Sequence, residues 1–177
     1  MEELEKITEK KAGLSTWPQA GILWMKEHGF EVENIEVFDY ERFIREGLKY
    51  LQEFYGEEAG QWQEKYSDIP KEQQRCKDFI QKINTEKRLP DFNDIKKFVD
   101  EGYLVLCLIN AMTLENKEGY SGHVIVVIGY DDNGLFMHDP GPPPIENRYV
   151  SWQDFENAWA FPDEKVKSIT AFKRLNS

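Results

Sequence analysis

The sequence predicts one α+β domain, with helices in the first part of the chain and antiparallel strands in the second. Three observations lead to this fold class. Apolar residues recur at helical spacing up to about residue 101, and a continuous apolar run of strand length, Tyr103–Ile109, follows. Two further apolar runs flank the turn-forming residues Asp131–Gly134. We therefore expect a helical part over about 1–101, packed on an antiparallel sheet part over about 102–177.

The composition limits the classes of function. The chain has 177 residues, of which 40% are hydrophobic and 31% charged, so one domain with a substantial core is expected rather than disorder. Its net charge of −11 argues against binding to a nucleic-acid backbone, which requires clustered cations. The acidic amino terminus lacks a signal-peptide core, and no segment reaches transmembrane length. We therefore expect a cytoplasmic protein that neither binds nucleic acid nor inserts into membranes.

The first 38 residues predict two helices and a strand. Residues 2–10 are typical of a short charged helix. Thr16 and Gln19 have the spacing of a capping box, with Thr16 as the N-cap of a helix that ends at Gly29. Residues 31–38 alternate imperfectly between apolar and polar side chains, which indicates an edge strand.

Further helices are predicted between residues 39 and 83. Asp39 is expected to cap one helix that ends near Gly56, and Gln61–Tyr66 adds another turn or two. Pro70 lies at the start of the next helix, where its missing N–H costs nothing. The apolar residues on one face of that helix, at helical spacing, are Cys76, Phe79, Ile80 and Ile83.

The character of the chain changes after the last helix of the helical part. This helix starts at Asp91 or Asn93 and ends at Gly102. The run Tyr103–Ile109 that follows has no polar residue, which is typical of a strand covered on both faces.

The C-terminal part predicts a hairpin, a helix and a last strand. A loop over residues 116–122 leads into the hairpin, and the proline-rich residues 141–144 then break regular structure. Ser151 is expected to start a helix, and residues 168–172 form the closing strand.

The hairpin carries His123 at the start of its first strand and Asp139 at the end of its second. The two residues are 16 positions apart. Because this separation is even, an antiparallel hairpin with an odd number of loop residues places both side chains on one face. A loop centred on Asp131 puts them directly opposite each other, whereas a loop drawn later by Asn133 and Gly134 offsets them on that shared face.

A carboxylate beside an imidazole suits a general base. The carboxylate fixes the tautomer of the histidine and stabilises the imidazolium that forms when the histidine deprotonates a nucleophile. The spacing alone leaves a simpler interpretation open, in which His123 makes an ordinary hydrogen bond and Asp139 uses its carboxylate within an Asp-Pro-Gly turn.

The two cysteines and the other two histidines are weaker candidates for catalytic residues. Cys76 lies within a helix and Cys107 within a buried strand, so both are expected to be inert core thiols. His138 alternates to the face opposite His123, and His28 lies in the last turn of its helix, where a cation complements the dipole. The histidines form no cluster with metal-ligand spacing, so we expect no metal or other cofactor.

The segments around the pair carry a family resemblance. They are Gly122–His123, Asp139–Gly141, Val150–Phe155 and Ala158–Trp159. This part resembles the C-terminal half of papain-like cysteine peptidases, especially the bacteriocin-processing branch that acts on double-glycine leader peptides. Residues 2–29 are similar to the segment that follows the nucleophile helix in that branch.

The resemblance implies a fold and a set of roles. The family has a papain-like fold and acts on peptides or proteins, with a cysteine nucleophile at a helix start and a glutamine that helps to form the oxyanion hole. The histidine at the start of a sheet strand is the base, which matches His123. The aspartate or asparagine that orients it matches Asp139. The resemblance therefore implies that His123 and Asp139 are catalytic.

One departure from the family leaves two expectations open. The family's glutamine and Cys-Gly-Pro block would lie before Met1, so neither the nucleophile nor the oxyanion glutamine is in this sequence. If Met1 is internal to a longer polypeptide, the complete protein is expected to be a cysteine peptidase or amidase. If Met1 is the start, the domain is an inactive relative that binds a peptide or partner protein, or a purely structural domain. The absent nucleophile helix also predicts uncovered apolar surface, and hence either a homodimer or an unusual groove.

Overall fold

The computed structural model of the chain describes residues 2–141 and 143–175. These residues form nine α-helices and seven β-strands, so the predicted α+β class is confirmed. They divide into two compact units. The sheet unit comprises Glu33–Val37 and Glu86–Lys173, and the helical unit comprises the other described residues. The boundary therefore lies near residue 86 rather than about 101, because the helix before Tyr103 packs on the strands that follow it.

The helical unit contains six helices of six to fourteen residues. They are α1 (Glu2–Ile7), α2 (Gln19–Glu27), α3 (Tyr40–Glu46), α4 (Leu48–Tyr55), α5 (Glu57–Tyr66) and α6 (Ile69–Lys82). Within the described part of the chain, none of the helices has the length and apolar character needed to cross a membrane.

The predicted capping box before α2 is wrong. The helix begins at Gln19 rather than after Thr16, Pro18 occupies the N-cap position, and no side chain caps the helix. Gln19 is instead buried, and its Nε2 donates a hydrogen bond to the hydroxyl of Tyr40 at 3.3 Å. The helix ends, as predicted, with His28 as its C-cap and Gly29 in the left-handed region at φ 82°.

The helix predicted from Asp39 to Gly56 is two helices. Asp39 caps α3 as expected, because its Oδ1 accepts a hydrogen bond from the N–H of Arg42 at 2.9 Å. Gly47 then separates α3 from α4 with φ 55° and ψ −123°, a conformation that favours glycine. Gly56 ends α4, and α5 starts directly after it, before the predicted Gln61.

Helix α6 confirms its predicted core face except at one position. Asp68 is its N-cap, and Pro70 lies in its first turn. Cys76 and Phe79 are fully buried, whereas Ile80 is 40% exposed. The buried stripe is therefore narrower than the sequence pattern suggests, and Ile80 lies on its flank.

The sheet unit holds most of the antiparallel sheet. Its elements in chain order are α7 (Phe92–Asp100), β3 (Leu104–Asn110), α8 (Ala111–Leu114), β4 (Gly122–Tyr130), β5 (Gly134–Asp139), β6 (Ile145–Ser151), α9 (Trp152–Trp159), a 3₁₀ turn (Glu164–Val166) and β7 (Ser168–Arg174). The strands β1 (Phe30–Glu36) and β2 (Thr85–Glu86) complete a sheet of order β2-β1-β7-β3-β4-β5-β6. The predicted edge strand β1 is thus second in the sheet, next to the two-residue β2.

Three secondary-structure elements were not predicted from the sequence. The short helix α8 and the strands β2 and β6 have no clear apolar periodicity. Strand β6 reads Ile-Glu-Asn-Arg-Tyr-Val-Ser and lies at the edge of the sheet, where most of its residues are exposed. An edge strand with polar side chains on both faces gives little hydrophobic signal in the sequence.

Helices α7 and α9 cover one face of the sheet. Asp91 starts α7 with a capping box to Asp94, and Ser151 starts α9 by accepting a hydrogen bond from the N–H of Asp154. Strand β3 alternates between buried residues and less buried ones, and Leu104 is 42% exposed. The prediction that both of its faces are covered is therefore wrong, because one face is covered less than the other. The core residues that β3 and β4 place on the helix-covered face are Val105, Cys107, Ile109, Ile125 and Val127.

Candidate active site

His123 and Asp139 lie together in the sheet unit. His123 is the second residue of β4, and Asp139 is the last residue of β5. The Nε2 atom of His123 is 2.7 Å from Oδ1 of Asp139. The two side chains are 23% and 11% exposed, so the pair is partly accessible but largely shielded from water.

A β-bulge places the two side chains on one face. The prediction from their even separation in sequence did not include this bulge. Tyr130 aligns with Leu135, and a continuous register from that pair would align Asp139 with Val126, on the face away from His123. The register shifts between Val127 and Gly129, so one extra residue of β4 is inserted. Asp139 consequently comes level with Ile125, two residues from His123. The offset arrangement is therefore correct, and the directly opposed one is wrong.

The carboxylate of Asp139 is held by three groups. Oδ1 accepts hydrogen bonds from His123 and from the N–H of Gly141, the latter at 3.0 Å, and Oδ2 accepts one from Nη1 of Arg148 at 3.0 Å. Burial works to raise the pKa of Asp139, but the Gly141 N–H, His123 and Arg148 together outweigh it and hold this pKa below its usual value. Asp139 is therefore a carboxylate at neutral pH. Oδ1 thus serves the Asp-Pro-Gly turn and the histidine together.

The geometry determines which nitrogen of His123 is available. A carboxylate acceptor at Nε2 favours the tautomer that carries its proton there, which leaves the lone pair on Nδ1. Within residues 2–141 and 143–175, Nδ1 of His123 makes no hydrogen bond. Gly141 lies against the ring, since a Cβ at that position would be 3.6 Å from Cε1 of His123. The imidazole is thus oriented by one nitrogen and can accept a proton at the other.

Asn110 fixes the loop that leads to His123. Its side chain is buried and makes four hydrogen bonds to the loop over residues 111–121. Oδ1 accepts from the N–H groups of Met112 and Ser121, and Nδ2 donates to Thr113 Oγ1 and to the carbonyl of Gly119. Because Asn110 also pairs with Gly122 across the sheet, this clamp sets where β4 begins.

Tyr120 packs beside the residue that precedes His123. A Cβ at Gly122 would lie 2.9 Å from the Tyr120 hydroxyl, so the glycine provides the space for this ring. Burial raises the pKa of Tyr120 to about 12, and the side chain is therefore a neutral phenol at physiological pH.

The structure places both cysteines in cores, as predicted. Cys76 lies inside α6 and Cys107 inside β3, and both are buried. Burial raises the pKa of the Cys107 thiol, which opposes formation of the thiolate. Neither cysteine is at a helix N-terminus, where a thiol becomes reactive.

The other two histidines make local contacts. Nδ1 of His28 donates to the carbonyl of Trp24 at 2.7 Å, and its ring stacks on that tryptophan. His138 accepts a hydrogen bond from the N–H of Asn147 at 3.3 Å, and its alignment with Val126 puts it on the face away from His123. In the described part of the chain, no three His, Cys, Asp or Glu side chains are arranged to hold a metal ion.

Sequence reasoning missed two groups at the pair. Arg148 belongs to β6, which the sequence pattern did not predict. No role was predicted for Asn110, which ends β3 and fixes the loop before His123. A polar residue that ends an apolar strand directly before a Gly-containing loop is a signal for such a clamp, because asparagine side chains commonly bind backbone groups of turns.

Comparison with known proteins gives one family. A family model described as "Peptidase_C39 like family" matches residues 41–161, which is more than half of the chain and includes both His123 and Asp139. A search of curated proteins found no match.

Proposed function

The chain belongs to the Peptidase_C39-like family, and we propose that it supplies the base half of a thiol-dependent site that hydrolyses peptide or amide bonds. The resemblance to papain-like cysteine peptidases is confirmed by this family match. The observation that carries the proposal is the hydrogen bond between Nε2 of His123 and Asp139, which leaves Nδ1 of His123 as a proton acceptor.

The proposed reaction uses His123 as base and then as acid. Its Nδ1 takes the proton of a cysteine thiol, and the thiolate attacks the carbonyl carbon of the scissile bond. The imidazolium gives that proton to the departing amine as the tetrahedral intermediate collapses to a thioester. His123 then deprotonates a water molecule, which hydrolyses the thioester and releases the acid and the thiol. Asp139 orients the ring and stabilises the imidazolium in both steps.

The proposed nucleophile is a cysteine outside these 177 residues. Cys76 and Cys107 are buried, so neither presents a thiol to substrate. We assign the nucleophile to a longer form of the polypeptide, in keeping with the family's order of nucleophile before base.

The test uses the protein made by its native cell from its own gene. The purified product is incubated with a peptide library, and cleavage is followed by mass spectrometry. We expect His123→Ala to lower turnover by about 10²- to 10⁴-fold, the usual contribution of a general base. His138→Ala is the matched control, because this exposed histidine is on the opposite face and should leave turnover unchanged. Equal turnover in the His123→Ala variant and the natural protein would refute the proposal.

A second candidate function is peptide binding without cleavage. The burial of both cysteines favours it, because a site without an accessible thiol can hold a peptide but cannot attack it covalently. In the same experiment this function predicts that library peptides are retained intact by the natural protein and by the His123→Ala variant alike.

A further inference from the structure

Arg148 joins two carboxylates at the candidate active site. Nη1 contacts Oδ2 of Asp139 at 3.0 Å, and Nη2 contacts Oε1 of Glu115 at 2.6 Å. The side chain is 19% exposed, which limits the competition of water for these contacts. A planar guanidinium holds its donors at fixed angles, so it can orient a carboxylate in a way that a single point charge cannot.

A second β-bulge keeps a like charge away from the position opposite Asp139. Met137 aligns with Arg148, and a continuous register from that pair would align Asp139 with Glu146, a like charge. The register shifts between Met137 and Asp139, and Asn147 adopts the left-handed region at φ 54°. Ile145 therefore lies opposite Asp139 in place of Glu146. Arg148 lies on the face of Asp139 because its partner Met137 is two residues from Asp139.

The contacts of Asp139 divide between its two oxygens. Oδ1 receives His123 and the N–H of Gly141, while Arg148 is the side chain that binds Oδ2. The terminal torsion of an aspartate is broad, so a carboxylate fixed at one oxygen still rotates. The bond from Arg148 at the second oxygen removes that freedom and keeps Oδ1 directed at the imidazole.

We propose that Arg148 is a positioning residue, which acts through Asp139 to hold His123 with its proton on Nε2 and its lone pair on Nδ1. Glu115 supports it by binding the second nitrogen of the guanidinium. The inference deepens the proposed function and rests on Asp139 being the residue that orients His123. It does not require that the chain cleave a substrate, so the two can fail separately.

The experiment measures the imidazole proton of His123 by NMR in the 177-residue chain. The exchange rate of the Nε2 proton with water reports the strength of its hydrogen bond to Asp139, and nitrogen shifts report the tautomer. We expect Arg148→Met, which keeps an apolar stem without the charge, to accelerate this exchange by about tenfold or more. Arg148→Lys should give an intermediate rate, because lysine restores the charge but not the planar fork.

The chain offers a matched control. Arg88 also joins two carboxylates, those of Glu86 and Asp94, at a place that makes no contact with the pair. Arg88→Met should leave the exchange rate of the His123 proton unchanged. Equal acceleration by both methionine variants would reduce the effect to general loss of stability and overturn the proposal.

Other outcomes also decide the question. An Arg148→Met rate within twofold of the natural chain would overturn the proposal, since Gly141 would then suffice to orient Asp139. If Arg148→Met does not fold, Glu115→Gln is used, because Glu115 is half exposed and does not touch Asp139. We expect a few-fold acceleration from Glu115→Gln, and no change in both Glu115→Gln and Arg148→Lys would overturn the assignment. If Arg148→Met loses control of the His123 tautomer but the native product hydrolyses no peptide, the proposed function alone is refuted.

Discussion

Substitution of Asp139 by Asn should destabilise the protein more at neutral pH than in acid. The Asp139 carboxylate accepts hydrogen bonds from His123, Gly141 and Arg148, and these contacts hold its pKa below the usual value despite burial. A carboxyl whose pKa is lowered by folding stabilises the native state fully above its unfolded pKa, about 3.9. That contribution is lost as the pH falls through the lower native pKa. Asparagine resembles the protonated acid, so the difference between the two proteins should shrink in the same range.

The size of the effect follows from the contacts that the amide cannot keep. An asparagine oxygen can still accept from Gly141 or His123, but its NH₂ group would face the donors of Arg148. A hydrogen bond to a charged group contributes about 1.5–3 kcal/mol, and Arg148 retains its contact with Glu115. We therefore expect the free energy of unfolding to fall by about 2 kcal/mol at neutral pH. For a chain of this length, such a loss lowers Tm by roughly 4–8 °C.

The assay is urea unfolding of the natural chain, of Asp139→Asn and of a control variant, each at neutral pH and at pH about 2.5. Asp132→Asn is the control, because Asp132 is exposed in the hairpin loop and makes no hydrogen bond within the described residues. It should change the stability by less than about 0.5 kcal/mol at either pH. A deficit of Asp139→Asn that is equal at both pH values would refute this account of the carboxylate.

Three further predictions concern the cores and the loop before His123. Iodoacetamide should leave Cys76 and Cys107 unmodified in the folded chain and label both after denaturation, as peptide mass mapping would show; rapid labelling of either thiol in the native state would contradict their burial. Gly134→Ala should cost about 3 kcal/mol or more in urea unfolding, because a Cβ there would overlap the carbonyl oxygen of Val150; a loss below 1 kcal/mol, about the ordinary effect of a point substitution, would contradict that geometry. Asn110→Ala should expose the loop over residues 111–121 to limited proteolysis, since it removes four hydrogen bonds; an unchanged cleavage pattern would show that the clamp is dispensable.

The sequence correctly predicted the starts of three helices that begin at a residue whose side chain caps the helix. Asp39, Asp91 and Ser151 cap helices through contacts between residues close in sequence, so the signal and its structural cause coincide. The capping box at Thr16 failed because Pro18 displaced the helix start by two residues. The break at Gly47 was missed because the apolar spacing continues across it, and only the backbone angle reveals the interruption.

The candidate pair was predictable, but the means of its assembly was not. The even separation of His123 and Asp139 indicated one shared face, yet the strands reach that face through a bulge at residues 127–129. Arg148 belongs to an exposed edge strand, in which a second bulge places Ile145 rather than Glu146 opposite Asp139. A bulge changes the alternation of a strand by one residue and leaves no periodic pattern, so sequence parity alone cannot locate it.

The most direct test of the central claim is to map where an electrophilic peptide probe reacts in the native product. A peptide vinyl sulfone, which alkylates an activated thiol, is added to the protein purified from its own cell, and intact mass and peptide mapping follow. We predict one adduct, on a cysteine other than Cys76 and Cys107, and its loss in the His123→Ala variant. An adduct on either of those two cysteines, labelling that persists without His123, or a folded product with no adduct would contradict the claim that His123 and Asp139 serve a thiol nucleophile.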